Sequence, residues 1–291
     1  MKIGFNLAGI SPRRYPLIVA KADELGFESC WQPEHLIWPA KMPPQYPYSE
    51  DGLPPVTVDV PTFDPWVNLA FAAAGTTQIK FGTNVYILPL RHPFVTARAV
   101  ITLDYVTGGR AILGCGVGWL EEEFELAGLE SKNRGARTDE IVEILKKLWT
   151  EDVIEFHGKY YDFGPVKFQP KPVAKPHPPI EFGGDSIAAL RRAARIGDGW
   201  LSIGAGAQEE FEERVKQLTQ WRKEYGREKE PFDFTVGAGP EPTADTIKRL
   251  EEQGATRVLV TPWPTPERGS PTVEHASRGM EEFANRVMAK L

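Results

Sequence analysis

IEFGGDSIAALRRAARIGDGWLSI, residues 180–203, contains the repeating unit from which the fold is read. Ile180-Glu181-Phe182 has the apolar character of a short buried strand, and Gly183-Gly184 turns the chain. Residues 186–195 then read as a helix, and 199–203 as the next strand. Strand, turn, helix and parallel strand make one βα unit and the start of another.

The same alternation extends in both directions. Upstream, strands are expected at 2–6, 27–31, 79–88 and 111–115, with helices at 15–25, 66–74, 93–106 and 135–150. Asp64 followed by Pro65 is a start signal for the second helix, and Gly26 and Thr107-Gly108-Gly109 are stop signals. Downstream, strands are expected at 232–237 and 257–261, with helices at 209–225, 243–253 and 273–291. Two stretches break the rhythm. Residues 33–62 are rich in Pro and carry Trp38, Tyr46 and Tyr48, which suits a packed lid. Residues 153–168 read as an inserted β-hairpin, followed by a run with five prolines at 169–179 that should be extended. Eight βα units in 291 residues predict an α/β protein with one domain, a (β/α)8 TIM barrel with an insertion hairpin.

The chain has 34 basic and 40 acidic residues and a net charge of −6, which argues against a nucleic-acid surface. Cys30 and Cys115 lie in apolar runs and are expected to be buried thiols, and two Cys with five scattered His give no metal pattern. No apolar run is long enough to span a bilayer, and no leader pattern opens the chain. A soluble cytoplasmic protein with no membrane partner is expected.

In such a barrel the chemistry sits on the loops after the strands. His35 follows the second strand. It can move a proton near neutral pH, or it can tie the loop to nearby backbone. After the fourth strand come Gly114, Gly116 and Gly118, then Trp119; the glycines allow a ligand close to the backbone amides. Glu121, Glu122 and Glu123 read as a solvated first helical turn. Gly183, Gly184, Asp185 and Ser186 precede a helix, where an anion is favoured; Asp185 or Ser186 as a plain N-cap is the alternative. Two glycine turns on one barrel face suggest a phosphorylated cofactor.

These residues, with 81–85, 88–93 and 197–200, resemble the bacterial luciferase-like oxidoreductases over nearly the whole chain. The resemblance is nearest to the branch that uses coenzyme F420, a deazaflavin. It implies a homodimer of (β/α)8 barrels and a small organic substrate. His35 matches the acid or base beside the cofactor ring, and Asn84-Val85 a non-prolyl cis peptide behind that ring. Gly116, Gly118 and Trp119 match one side of the phosphate cradle, and Gly183, Gly184, Asp185 and Ser186 the other. Two departures stand out. Trp119 replaces the catalytic glutamate of the deazaflavin glucose-6-phosphate dehydrogenases, which puts sugar-phosphate chemistry in doubt. Trp38 lies near their active-site tryptophan but not at it, so no role is carried over. The resemblance leaves two alternatives: a monooxygenase using reduced FMN from a separate reductase, and a protein that binds a flavin or deazaflavin without turnover.

Overall fold

The computed structural model describes residues 1–202, 207–240, 242–263 and 269–291. The strands are β1 (Lys2–Asn6), β2 (Ser29–Gln32), β3 (Lys80–Thr83), β4 (Tyr86–Ile87), β5 (Ala111–Gly116), β6 (Ile154–His157), β7 (Asp162–Val166), β8 (Ile180–Gly183), β9 (Gly199–Leu201), β10 (Asp233–Gly237) and β11 (Arg257–Val260). The helices are α1 (Tyr15–Glu24), α2 (Pro65–Ala73), α3 (Pro93–Thr107), α4 (Glu121–Leu126), α5 (Arg134–Thr150), α6 (Ile187–Ile196), α7 (Ala207–Glu224), α8 (Ala244–Glu252) and α9 (Val273–Arg286).

β1, β2, β3, β5, β8, β9, β10 and β11 pair in parallel and in that order, and β11 returns to β1. The sheet is thus a closed eight-stranded barrel wrapped by helices, the (β/α)8 architecture expected. β6 and β7 form the expected antiparallel hairpin outside the barrel. Cys30 and Cys115 are free and buried. Among the described residues no helix is long and apolar enough to cross a membrane.

Local chemistry explains most boundaries. Asp64 accepts a hydrogen bond from the Val67 amide at 2.9 Å and starts α2; Ser186 and Thr272 cap α6 and α9 in the same way. Gly108, at φ +70°, ends α3. Two expectations need correction. The single strand at 79–88 is broken into β3 and β4, because the Asn84–Val85 peptide between them is cis. The helix expected to run to 291 stops at Arg286 and gives way to a 3₁₀ turn, Met288–Lys290. Of the sixth strand, 199–201 is present, and Ile203 lies outside the described residues.

The N-terminal end of the barrel is plugged by charge. Arg257 is 1% exposed and donates to Glu28 (3.0 Å), Glu181 (2.8 and 2.9 Å) and Asp233 (2.9 Å). Lys2 and Lys80 join at its edges. Burial pushes the Glu181 carboxyl up to about 7, whereas Glu28 and Asp233, half-buried and with more polar support, are held below the usual carboxylate range by Arg257 and their lysines. The opposite, C-terminal end is where the loops gather.

Candidate functional site

Three strand ends converge around Val85. Alternate residues of one segment rest on alternate glycines of β5 and its loop. An added Cβ on Gly114 would lie 1.8 Å from the Thr83 carbonyl oxygen; on Gly116, 2.8 Å from Val85; on Gly118, 2.7 Å from Ile87. On the other side, a Cβ on Gly183 would lie 2.4 Å from Val85. These glycines therefore make room for the segment around the cis bond. The face that a Cβ would occupy is thus taken by protein at each of them. Asn84 donates its amide to the Gln32 carbonyl at 2.9 Å, while its buried Oδ1 has no partner among the described residues.

The loop after β2 is fixed at its root. Glu34 is buried, accepts from the Ile87 amide at 2.7 Å, and meets Arg91 through both oxygens at 2.7 and 2.6 Å. Burial pushes the Glu34 carboxyl up, and the Arg91 guanidinium opposes it. The next residue, His35, points the other way. Its Nδ1 lies 3.0 Å from Glu123 Oε2. Glu123 is 0% exposed, and its Oε1 accepts from the amides of Leu36 (2.5 Å) and Ile37 (3.4 Å).

Glu123 is thus a buried clamp, and the expectation of a solvated turn fails for it, although Glu121 is exposed. The signal was in the spacing. Leu120, Glu123, Phe124 and Ala127 fall on one helical face, and all four are turned inward to some degree. The run of three acids hid that face.

Beyond Ile37 the loop crosses the barrel mouth on aromatic rings. The Trp38 ring lies 4.0 Å from the His35 ring at 32°, and Trp119 meets His35 edge-on at 5.9 Å. Tyr46 then packs on Trp119 at 5.2 Å and on Tyr48 at 5.4 Å. Tyr48 Oη accepts from the Asp185 amide at 3.4 Å. Burial pushes both phenols up, so they remain hydroxyls. The loop is a packed cover, as its composition implied. The Trp66 ring, just after the loop, packs on Tyr86 in the core.

The turn after β8 is partly spoken for. Gly184, at φ +116°, donates its amide to Leu201 at 3.3 Å and accepts from Trp200 Nε1 at 2.9 Å. Asp185 pairs with Arg214 at 3.1 Å and accepts from Ser202 at 3.2 Å. Ser186 is the N-cap, holding the Ala189 amide at 3.2 Å. The amides of Ser186, Ile187 and Ala188 have no partner among the described residues, nor have those of Val117, Gly118 and Trp119 in the neighbouring turn. Arg134 reaches that neighbouring turn through Nε, 3.2 Å from the Gly118 carbonyl. Arg134 and Arg214 were not legible as site residues, since each comes from a helix distant in sequence. Among the described residues no cluster of His, Cys, Asp and Glu could hold a metal.

The sequence profile of the luciferase-like monooxygenase family matches residues 4–282. A functionally uncharacterised protein of Mycobacterium tuberculosis is 35% identical over 280 residues, 95% of each chain. The F420-dependent glucose-6-phosphate dehydrogenase of Amycolatopsis mediterranei is 28% identical over 224 residues, 74% of this chain and 61% of that one. The crystal structure of monooxygenase RslO1 from Streptomyces bottropensis superimposes with a TM-score of 0.77 at 21% identity, covering 99% of both chains. The chain belongs to the luciferase-like monooxygenase family and is an oxidoreductase of that family.

Proposed function

From this family membership and the geometry at the barrel mouth, we propose that the protein is a coenzyme F420-dependent oxidoreductase acting on a small organic substrate. The observation that supports it most is His35 held by the buried Glu123, at the same end of the barrel as the cis Asn84–Val85 bond and two turns with open amides.

The residues fit a ring cofactor with a phosphate. Val85, pressed between Gly116 and Gly183, offers an apolar wall at the strand ends, and the partnerless Asn84 Oδ1 offers an acceptor. The amides of 117–119 and 186–188, with the positive end of α6 and the nearby Arg134, suit a phosphate. Gly183, Gly184 and Asp185 shape this cradle, while the amides of Gly184 and Asp185 already serve Leu201 and Tyr48. When bound, the deazaflavin supplies a two-electron hydride donor or acceptor. His35 gives or takes the accompanying proton at the substrate heteroatom. The Trp38, Trp119, Tyr46 and Tyr48 rings keep bulk water from that proton.

The glucose-6-phosphate dehydrogenase relative supports the deazaflavin. Trp119, where that group carries glutamate, argues for a substrate other than a sugar phosphate. The similarity to a monooxygenase favours a second reading, a reduced-FMN monooxygenase served by a separate reductase. A homodimer is part of the proposal. α2 and α3 leave Val67, Phe71, Val95, Tyr105 and Val106 exposed, an apolar face suited to a second copy.

Titration of the purified protein with F420 and with FMN, followed by ring fluorescence, tests the cofactor. F420 is expected to bind more tightly. Tighter binding of FMN would overturn the first reading in favour of the second.

A further inference from the structure

We propose that Glu123 is a positioning residue that fixes the tautomer of His35, keeping the proton on Nδ1 and leaving the Nε2 lone pair to face the substrate. The proposal deepens the reading of His35 as proton carrier and rests on it for its catalytic part.

Other acids in this chain clamp loops without engaging a histidine. Asp23 accepts from Thr77, Gln78 and Ile79, and Glu140 from Lys159, Tyr160 and Tyr161. Glu123 divides its oxygens differently. Oε1 takes the amides of Leu36 and Ile37, and Oε2 is given to the imidazole. Asp23 and Glu140 spend both oxygens on their loops, whereas Glu123 braces its loop with Oε1 and turns Oε2 to the ring. Backbone amides can only donate, so Oε1 is committed as an acceptor. An ionised carboxylate accepts at Oε2 as well, and the imidazole must then donate from Nδ1. Nε2 has no partner among the described residues. The Trp38 ring, stacked on the imidazole at 4.0 Å, holds its plane. With an alcohol substrate, the O–H proton would pass to Nε2 as its electron pair forms the carbonyl and the C–H hydride leaves to the deazaflavin; the imidazolium beside Glu123 would then lose that proton to solvent once product departs. The same arrangement serves the reverse transfer.

Glu123→Gln separates the two roles. The amide oxygen of Gln can still accept from Leu36 and Ile37, so the loop keeps its clamp. Its NH₂ group now faces Nδ1 as a donor, which forces the imidazole proton to Nε2. The test uses the full chain labelled with ¹⁵N at histidine, at a pH where His35 is neutral; its signal is assigned by its loss in His35→Gln. The wild type is expected to show Nδ1 protonated, and Glu123→Gln to show Nε2 protonated with unchanged thermal stability. A wild-type spectrum with Nε2 protonated, or no change in the variant, would overturn the proposal. With cofactor bound, kcat of Glu123→Gln is expected to fall about 10²–10⁴-fold at nearly constant KM, and unchanged kcat would overturn the catalytic part. His35→Ala distinguishes the two failures. If it turns over like the wild type while the tautomer switch is seen, the proton role of His35 fails and the positioning by Glu123 stands.

Discussion

Val85 lies over Gly183 so closely that a single methyl group on the glycine would meet a Val85 methyl at 2.4 Å. Gly116 leaves the same kind of space on the other side, at 2.8 Å. The cis segment is therefore seated between two strand ends with no room to spare. Gly183→Ala is expected to lose about 1–3 kcal/mol by overpacking and to weaken cofactor binding. Gly183→Ala with Val85→Ala should recover part of both. Urea denaturation and cofactor titration of the single and double variants check this, and a double variant no better than the single would refute the contact as the cause.

Arg257 holds the closed end of the barrel. Its removal leaves Glu28, Glu181 and Asp233 facing one another in the interior. Arg257→Met is expected to cost about 3–5 kcal/mol, measured by chemical denaturation. Wild-type stability at that variant would show that the cluster is dispensable.

The same cluster sets a pH dependence. Glu181 is pushed up to about 7 by burial, from an ordinary 4.5. Below 4.5 it is protonated in both the folded and unfolded chain. As pH rises from 4.5 to 7 the unfolded chain releases that proton first, so the contribution of Glu181 to stability is lost over this window. Glu28 and Asp233 have lowered values and act oppositely, losing their contributions as pH falls through the acidic range. Glu181→Gln should thus gain stability relative to the wild type between pH 5 and pH 7.5. Paired denaturation curves at the two pH values decide it, and a constant difference would contradict the assignment.

Much of this was legible in the sequence, for physical reasons. Strands, helices and the hairpin are each a local pattern of apolar spacing and capping, as with Asp64-Pro65 or Ser186. His35 and the two glycine turns were legible because a closed barrel puts strand ends together. What the glycines do was not, because Gly116 and Gly183 answer to Val85, a residue from a different strand. Arg214 on α7 reaches Asp185 for the same reason, a pairing that only tertiary packing creates. Glu123 was masked by the acids beside it.

Trp119 and Tyr46 join the covering loop to the β5 turn. Trp119→Ala removes an edge-on contact worth about 1 kcal/mol beyond its buried area. Limited proteolysis within 38–62 should accelerate about fivefold at equal global stability. An unchanged cleavage rate would mean that the loop is held elsewhere.

Arg91 binds Glu34 through two nitrogens. Arg91→Lys keeps the charge and loses the fork. It is expected to cost about 1.5–3 kcal/mol, the worth of a charge-assisted hydrogen bond. Thermal unfolding of the two proteins checks this, and matching transitions would show that charge alone suffices.

The grip of Glu123 on the amides of Leu36 and Ile37 also divides the loop by mechanical role. Upstream of that grip, the chain from Glu34 to Ile37 is part of the rigid barrel rim. Downstream, from 39 to 62, it is a replaceable panel. A change in its sequence or length would alter the shape admitted to the barrel mouth and leave the His35 ring where it is.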